Sequence, residues 1–404
     1  MTEDTIVIVG GGHAAAALCS ALATAGCGQR VHVISAEAHL PYHRPPLSKS
    51  FIKDLAEVPQ LHRDAAWYAS QGITVHASDA VVSIDRAAKR LKLSSEKDLS
   101  YGTLVLATGT RARTLPNLAL PSGNVATLRT ATDAERFRGW IHETASGNLV
   151  VLGGGFIGLE VAGTARQLGW SVRVLEAAPR LLARSTSPQL SEYILQHHRN
   201  LGTEVTLGAK VGEFAFEAGN LKSLHVNDDE WLVQHLLLSV GAVPEVDLAH
   251  GAGLEVENGI RVDGAMRTSD PDILAIGDCT CFEYRGRLTR LESVQNANDQ
   301  AKVAAATLTG QVASYQPTPF FWSDQGGLRL QMVGLWRDGL HTVTRPGSAP
   351  SSFSLFHFEG DALVAVESAN APMDHMWSRK LLEAGRSPSP AQVQDPQLAL
   401  KTLL

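Results

Sequence analysis

At 404 residues the chain is long enough for two or three domains, each with its own core. Hydrophobic residues at 44% and charged residues at 19% describe a soluble globular protein, and a formal net charge of −6 without a polybasic face argues against nucleic acid. No stretch approaches the ~20 apolar residues of a membrane span. The N-terminal apolar run is short and preceded by acidic residues, so no signal peptide is expected and the chain reads as cytoplasmic. Four cysteines (Cys19, Cys27, Cys279, Cys281) give no CxxC pair and no ligand framework, so neither a metal site nor thiol chemistry is expected.

The first predicted elements form a βαβ unit: strand Thr5–Val9, three glycines, helix His13–Ala25, strand Val31–Ile34, and Glu37 just beyond. The turn reads G-x-G-x-x-A as Gly10, Gly12 and Ala15. The two glycines allow a tight turn and close approach of backbone to a pyrophosphate, and Ala15 lets the helix pack on the strand. Free N–H groups and the dipole at the helix start favour phosphate, and Glu37 can accept from a ribose diol. Next comes PYHRPPLSK, in which Pro45 and Pro46 stiffen the backbone and are expected to exclude helix until Leu47. Arg44 and Lys49 are then cations on a fixed frame, or simply solvated surface charges. Short strands are expected at Gln71–Ala77, Ala80–Asp85 and Arg90–Ser94, and a buried one at Leu104–Gly109 ending in Thr108-Gly109.

The fingerprint then recurs in full. Strand Leu149–Leu152 leads into Gly153, Gly155 and Gly158, a helix through Leu168, and strand Ser171–Leu175 ending in Glu176. An acid at that place reads a ribose 2′-OH and repels a 2′-phosphate, which selects NAD(H) over NADP(H). Arg184 is either an adenosine-side contact or an exposed arginine. Two copies in complete βαβ contexts make glycine turns that bind nothing hard to sustain. Leu236–Val240 reads as a strand leaving the second unit, and TSDPDILAIGD as an apolar strand ending in Gly277-Asp278, where Asp278 can meet a sugar-alcohol hydroxyl. Leu291–Leu308 has helical periodicity, with Glu292 and Val294 at its start. After Pro317 and Pro319, FFWSDQ precedes alternating runs at Leu328–Leu335, His341–Thr344, Phe353–Phe358 and Leu363–Val366, then a helix near Met373–Glu383. The expected fold class is α/β: two Rossmann-like dinucleotide domains and a small α+β C-terminal domain.

This order of motifs resembles the flavoprotein ferredoxin reductases of glutathione-reductase type, above all the NADH-dependent reductase components of bacterial aromatic-ring dioxygenases, with putidaredoxin and rubredoxin reductases near. PYHRPPLSK and FFWSDQ are its specific motifs, and it spans essentially the whole chain. The resemblance implies an FAD domain over residues 1–111 and 240–316, an inserted NAD domain over 112–239, and a third domain over 317–404. By matching position it implies FAD contacts at Ala14, Ala15, Glu37, Arg44, Lys49, Val82, Arg129, Asp278 and Val294. NADH-site residues would be Gly155, Ile157, Gly158, Glu160, Glu176, Arg184 and Glu292. Trp322 resembles the aromatic residue beside the flavin in that family. His43 stands where an acid is common, and Glu245 where asparagine often follows the Gly-x-x-Pro turn.

The implied chemistry is hydride transfer from NADH to flavin, then single-electron delivery to a [2Fe–2S] ferredoxin. Lys49 is expected to meet Glu160, either as a catalytic pair stabilising charge on the reduced ring or as a structural ion pair. No cysteine stands in Pro45–Lys49, where disulfide-reducing relatives carry theirs, so electrons must leave by another route. Trp322 lines that route or belongs to the core. Arg285, Arg287, Arg290, Arg329 and Arg337 could steer an acidic ferredoxin. Other readings are an NADH oxidase or quinone reductase, a rubredoxin- or putidaredoxin-type reductase, and a non-enzymatic NADH-sensing flavoprotein; monomer and homodimer both remain open.

Overall fold

A computed structural model describes residues 4–118, 122–144 and 146–404. The chain divides into two compact units, each assembled from three separate segments. Unit 1 comprises Met1–Arg44, Val58–Arg111 and Ala242–Pro317; unit 2 comprises Pro45–Glu57, Ala112–Gly241 and Thr318–Leu404.

Unit 1 is built on a five-stranded parallel sheet in the order Ile273–Ala275, Thr103–Leu106, Ile6–Val9, Val31–Ile34, Thr74–His76. Its strands are continuous apolar runs because both faces are covered, and Val7, Ile8, Leu104, Val105 and Ile273 are fully buried. The alanine-rich helix His13–Thr24 packs against helix Val294–Leu308; small side chains at Ala14, Ala15, Ala301 and Ala304 let them approach closely over the same core. Chain order reverses at Ile6–Val9, which puts the first glycine turn at the carboxyl end of the strand where the topology switches. An antiparallel meander, Val81–Asp85, Arg90–Leu93 and Asp98–Ser100, completes this part.

Unit 2 repeats the plan. Its parallel sheet runs Glu204–Leu207, Ser171–Glu176, Asn148–Leu152, His235–Leu238, Val125–Ala126, with the second glycine turn at the end of Asn148–Leu152. Helix Phe156–Gln167 follows that turn and is buried over most of its length. The same unit holds a five-stranded antiparallel sheet in the order Phe320–Gln325, Leu328–Gly334, Ala362–Ala369, Phe353–Glu359, His341–Pro346, covered by helix Pro372–Glu383.

Three features depart from the sequence reading. Pro45–Ser48 forms a 3₁₀ turn instead of excluding helix up to Leu47, because the fixed proline φ suits a first helical turn and the missing N–H is not needed there. FFWSDQ is itself the edge strand of the antiparallel sheet. The hairpins Val211–Glu217, Asn220–Val226 and Asp229–Leu232 had no sequence signal: their outer strands are mostly exposed, so apolar alternation is weak.

Candidate functional site

In unit 1 the first turn is shaped by Gly10 at φ +120°; a Cβ there would lie 2.2 Å from the carbonyl oxygen of Ala107. Gly12 caps the helix without any side-chain hydrogen bond, and a Cβ on it would meet nothing within 4 Å. The space beside the Gly12 Cα at the helix start is therefore open. Ala14 sits beneath Gly277, whose own Cβ would approach it to 3.0 Å, so the turns carrying Thr108-Gly109 and Gly277-Asp278 close around the helix start. Gln300 Oε1 accepts from the Gly277 amide at 2.6 Å and fixes that second turn. Glu37 is oriented by Tyr42, whose hydroxyl donates to one carboxylate oxygen at 2.5 Å, and by Arg44, whose Nη2 donates to the other at 2.6 Å. Val82 is exposed on the meander, Val294 opens its helix behind the Ser293 cap, and Glu292 is ion-paired with Arg290.

The turn in unit 2 has the same construction. Gly153 adopts φ +113°, and its Cβ would lie 2.2 Å from the Ser239 carbonyl oxygen. Gly155 caps the helix without a side-chain bond and is open beyond its Cα. A Cβ at Gly158 would lie 2.4 Å from the Gly153 oxygen, so this third glycine seats the helix on its strand. Glu176 accepts from the amides of Gly154 and Ala178, both at 2.7 Å, which aligns its carboxylate along the turn. Ile157 is exposed at the helix start, as is Arg184 after Leu181-Leu182. Two open helix ends, each with an oriented acid one strand away, suit two nucleotide phosphate–ribose groups.

Unit 2 also gathers Lys49, Glu160 and the strand bearing Trp322. Glu160, 3% exposed, lies one turn into helix Phe156–Gln167. Its Oε2 accepts from Lys49 Nζ and from Ser48 Oγ, each at 2.5 Å, and its Oε1 from Ser323 Oγ at 2.8 Å. Lys49 also donates to the Pro45 carbonyl at 3.1 Å. The network continues through Gln325, which donates to Ser323 at 3.1 Å and faces His198 Nε2 across 3.1 Å. Burial lowers His198 to about 4, so this end of the chain is neutral. The approach depends on Gly163, where a Cβ would lie 2.6 Å from the Gly326 nitrogen: helix and hairpin touch backbone to backbone. The Lys49 segment is tied down by Arg138, which donates to the carbonyls of Asp54 and Glu57 at 3.0 and 2.7 Å, and by Thr164, which donates to the Ser48 carbonyl at 3.0 Å. Trp322 alternates with Ser323 along the strand, so its half-buried ring lies on the opposite face, stacked on Phe320 at 6.4 Å. Arg129 is half-buried before helix Ala131–Glu143, its amide donating to Asp133.

Ser48, Ser323, Gln325 and His198 were not singled out in the sequence, although three of them lie in the quoted motifs. Removing the Ser323 hydroxyl strips a donor from a buried carboxylate. Ser323→Ala should therefore lose about 1.5–3 kcal/mol of stability, read as a lower urea midpoint with unchanged slope. Among the five arginines proposed for steering, Arg290 is largely buried against Glu292 and Arg337 pairs with Glu359, while Arg285, Arg287 and Arg329 are exposed. The cysteines are unpaired, and burial raises Cys19 to about 12 and also raises Cys279 and Cys281, which makes these three poor nucleophiles.

Residues 4–301 match the pyridine nucleotide-disulphide oxidoreductase family and residues 320–404 match the reductase C-terminal family. The chain belongs to this oxidoreductase family, whose members imply flavin and nicotinamide cofactors. It is 39% identical to the ferredoxin–NAD(+) reductase component of the anthranilate 1,2-dioxygenase system from Burkholderia cepacia, over 100% of both chains. Among solved structures it resembles a ferredoxin reductase for the CYP199A2 system from Rhodopseudomonas palustris (TM-score 0.94, 40% identity, 99% of each chain). It also resembles the reductase in a covalent putidaredoxin reductase–putidaredoxin complex (TM-score 0.94, 35% identity, 100% of this chain and 98% of that one). Among the described residues no helix is long and apolar enough to cross a membrane.

Proposed function

We propose that this chain is a cytoplasmic NADH:ferredoxin reductase that takes FAD in the cradle of Gly10, Gly12, Ala14, Ala15, Glu37 and Arg44 and NADH in that of Gly153, Gly155, Gly158 and Glu176. On this reading residues 1–111 and 240–316 form the FAD domain, 112–239 the NAD domain and 317–404 the C-terminal domain. The observation that carries it is the duplication of one cradle, with a glycine cap open beyond its Cα and an oriented acid in each copy. Bound flavin supplies the step from two-electron to one-electron chemistry. Glu176, locked by two amides, accepts from a ribose 2′-OH and disfavours a 2′-phosphate, hence NADH over NADPH.

Lys49 supplies a fixed positive charge, and Glu160 with its three donors holds that charge at one place. A preorganised cation of this kind stabilises negative charge that develops during reduction. The acceptor is a [2Fe–2S] ferredoxin serving an aromatic-ring dioxygenase, a reading supported by the relatives' names and by a chain without a reactive thiol pair. The test is anaerobic reduction with one equivalent of NADH or NADPH, followed by mixing with a [2Fe–2S] ferredoxin, a rubredoxin, a quinone and oxygen in turn. NADH preference and fastest discharge to the ferredoxin are expected; faster turnover with quinone or oxygen would overturn the acceptor.

A further inference from the structure

We infer that unit 1 carries a divalent transition-metal site formed by His13, His43 and His62. One ring nitrogen from each lies within 4.8 Å of the other two, and none of these three side chains is among the cradle residues named above. Three backbone elements hold these rings. His13 is the first residue of helix His13–Thr24. His43 and His62 come from two strands of chain clamped side by side: the His43 amide donates to the Gln60 carbonyl at 2.8 Å, the His62 amide donates to the Pro41 carbonyl at 2.9 Å, and Tyr42 bridges Leu61. The frame brings the His43 and His62 ring centroids to 3.8 Å and sets His13 edge-on at 4.5 Å from His62.

The chemistry of the set points to a metal of borderline softness. All three donors are imidazoles, with no carboxylate in the group, a set that favours Zn²⁺ over Mg²⁺ or Ca²⁺. A tetrahedral zinc site needs nitrogens roughly 3.3 Å apart, given Zn–N bonds of about 2.0–2.1 Å, so small ring rotations close it around an ion and leave a fourth position for water. His62 Nε2 is buried without a hydrogen-bond partner, a cost that coordination would relieve. An ion here would fasten the paired backbone at His43 and His62 to the start of the first helix, and no sequence spacing announces it.

The experiment is isothermal titration of untagged, flavin-loaded protein with Zn²⁺, and with Mg²⁺ in parallel. One Zn²⁺ per chain, a raised Tm and no Mg²⁺ response are expected. His43→Gln and His62→Gln should each weaken Zn²⁺ by roughly tenfold or more, while His76→Gln, altering the separate His32–His76 pair, should leave it unchanged. Anomalous scattering at the zinc edge from soaked wild-type crystals needs no variant and should place the ion among the three rings. No saturable uptake, uptake indifferent to the His43 and His62 changes, or an anomalous peak only elsewhere would overturn the site.

Discussion

Lys49→Met should slow NADH-driven bleaching of the bound flavin by about 10²–10³-fold, the loss typical when one preorganised charge-stabilising group is removed from an enclosed site. Methionine keeps most of the side-chain length and removes the charge, so packing changes little. The readout is the 450 nm absorbance after anaerobic mixing, beside the NADH dissociation constant and Tm. A wild-type rate would leave Lys49 as a structural tie alone. Glu160→Ala separates the two roles from the other side. It leaves the partly exposed Lys49 ammonium without its carboxylate and should cost about 1.5–3 kcal/mol of stability, the worth of a charge-assisted hydrogen bond. In Lys49→Met the more deeply buried partner is the one left charged, held by its Ser48 and Ser323 donors alone.

A second pair of changes discriminates fold from ligand at the glycine turns. Gly10→Ala combines positive φ with a Cβ 2.2 Å from a backbone carbonyl, and it should cost about 3 kcal/mol or more and yield little coloured protein. Gly12→Ala meets no protein atom within 4 Å and sits at φ −95°, so the chain should fold with near-native Tm. Its new methyl enters the space that a pyrophosphate needs. Flavin content at purification should fall sharply for both, with Tm reduced strongly for Gly10→Ala only. Equal flavin retention in Gly12→Ala and wild type would place the phosphates elsewhere.

The glycine turns were legible because their demands are local: a strand end, a positive φ and a close carbonyl leave few residue types, and the period of the following helix confirms the context. Glu37 and Glu176 were legible by offset from those turns. The hydrogen-bond network around Glu160 was not, since Ser48, Ser323 and Gln325 act on a residue more than a hundred positions away and look in sequence like ordinary polar punctuation. Lys49 stands out in the sequence by its charge, whereas the hydroxyl beside it, at the same 2.5 Å from Glu160, carries no such mark. The histidine cluster was invisible for the same reason: residues 13, 43 and 62 have no common spacing and meet only through the pairing of two loops.

The discontinuity of unit 2 bears on biosynthesis. Glu160 emerges from the ribosome well before Ser323, yet its buried carboxylate acquires that hydroxyl only once the last segment of the unit, Thr318–Leu404, has been made. A nascent chain arrested before that segment carries a half-solvated acid and an uncovered hairpin seat at Gly163, a surface suited to chaperone capture. Excising residues 112–241 as a minimal nucleotide-binding fragment should accordingly give insoluble material, because both Pro45–Glu57 and Thr318–Leu404 are then missing from the unit.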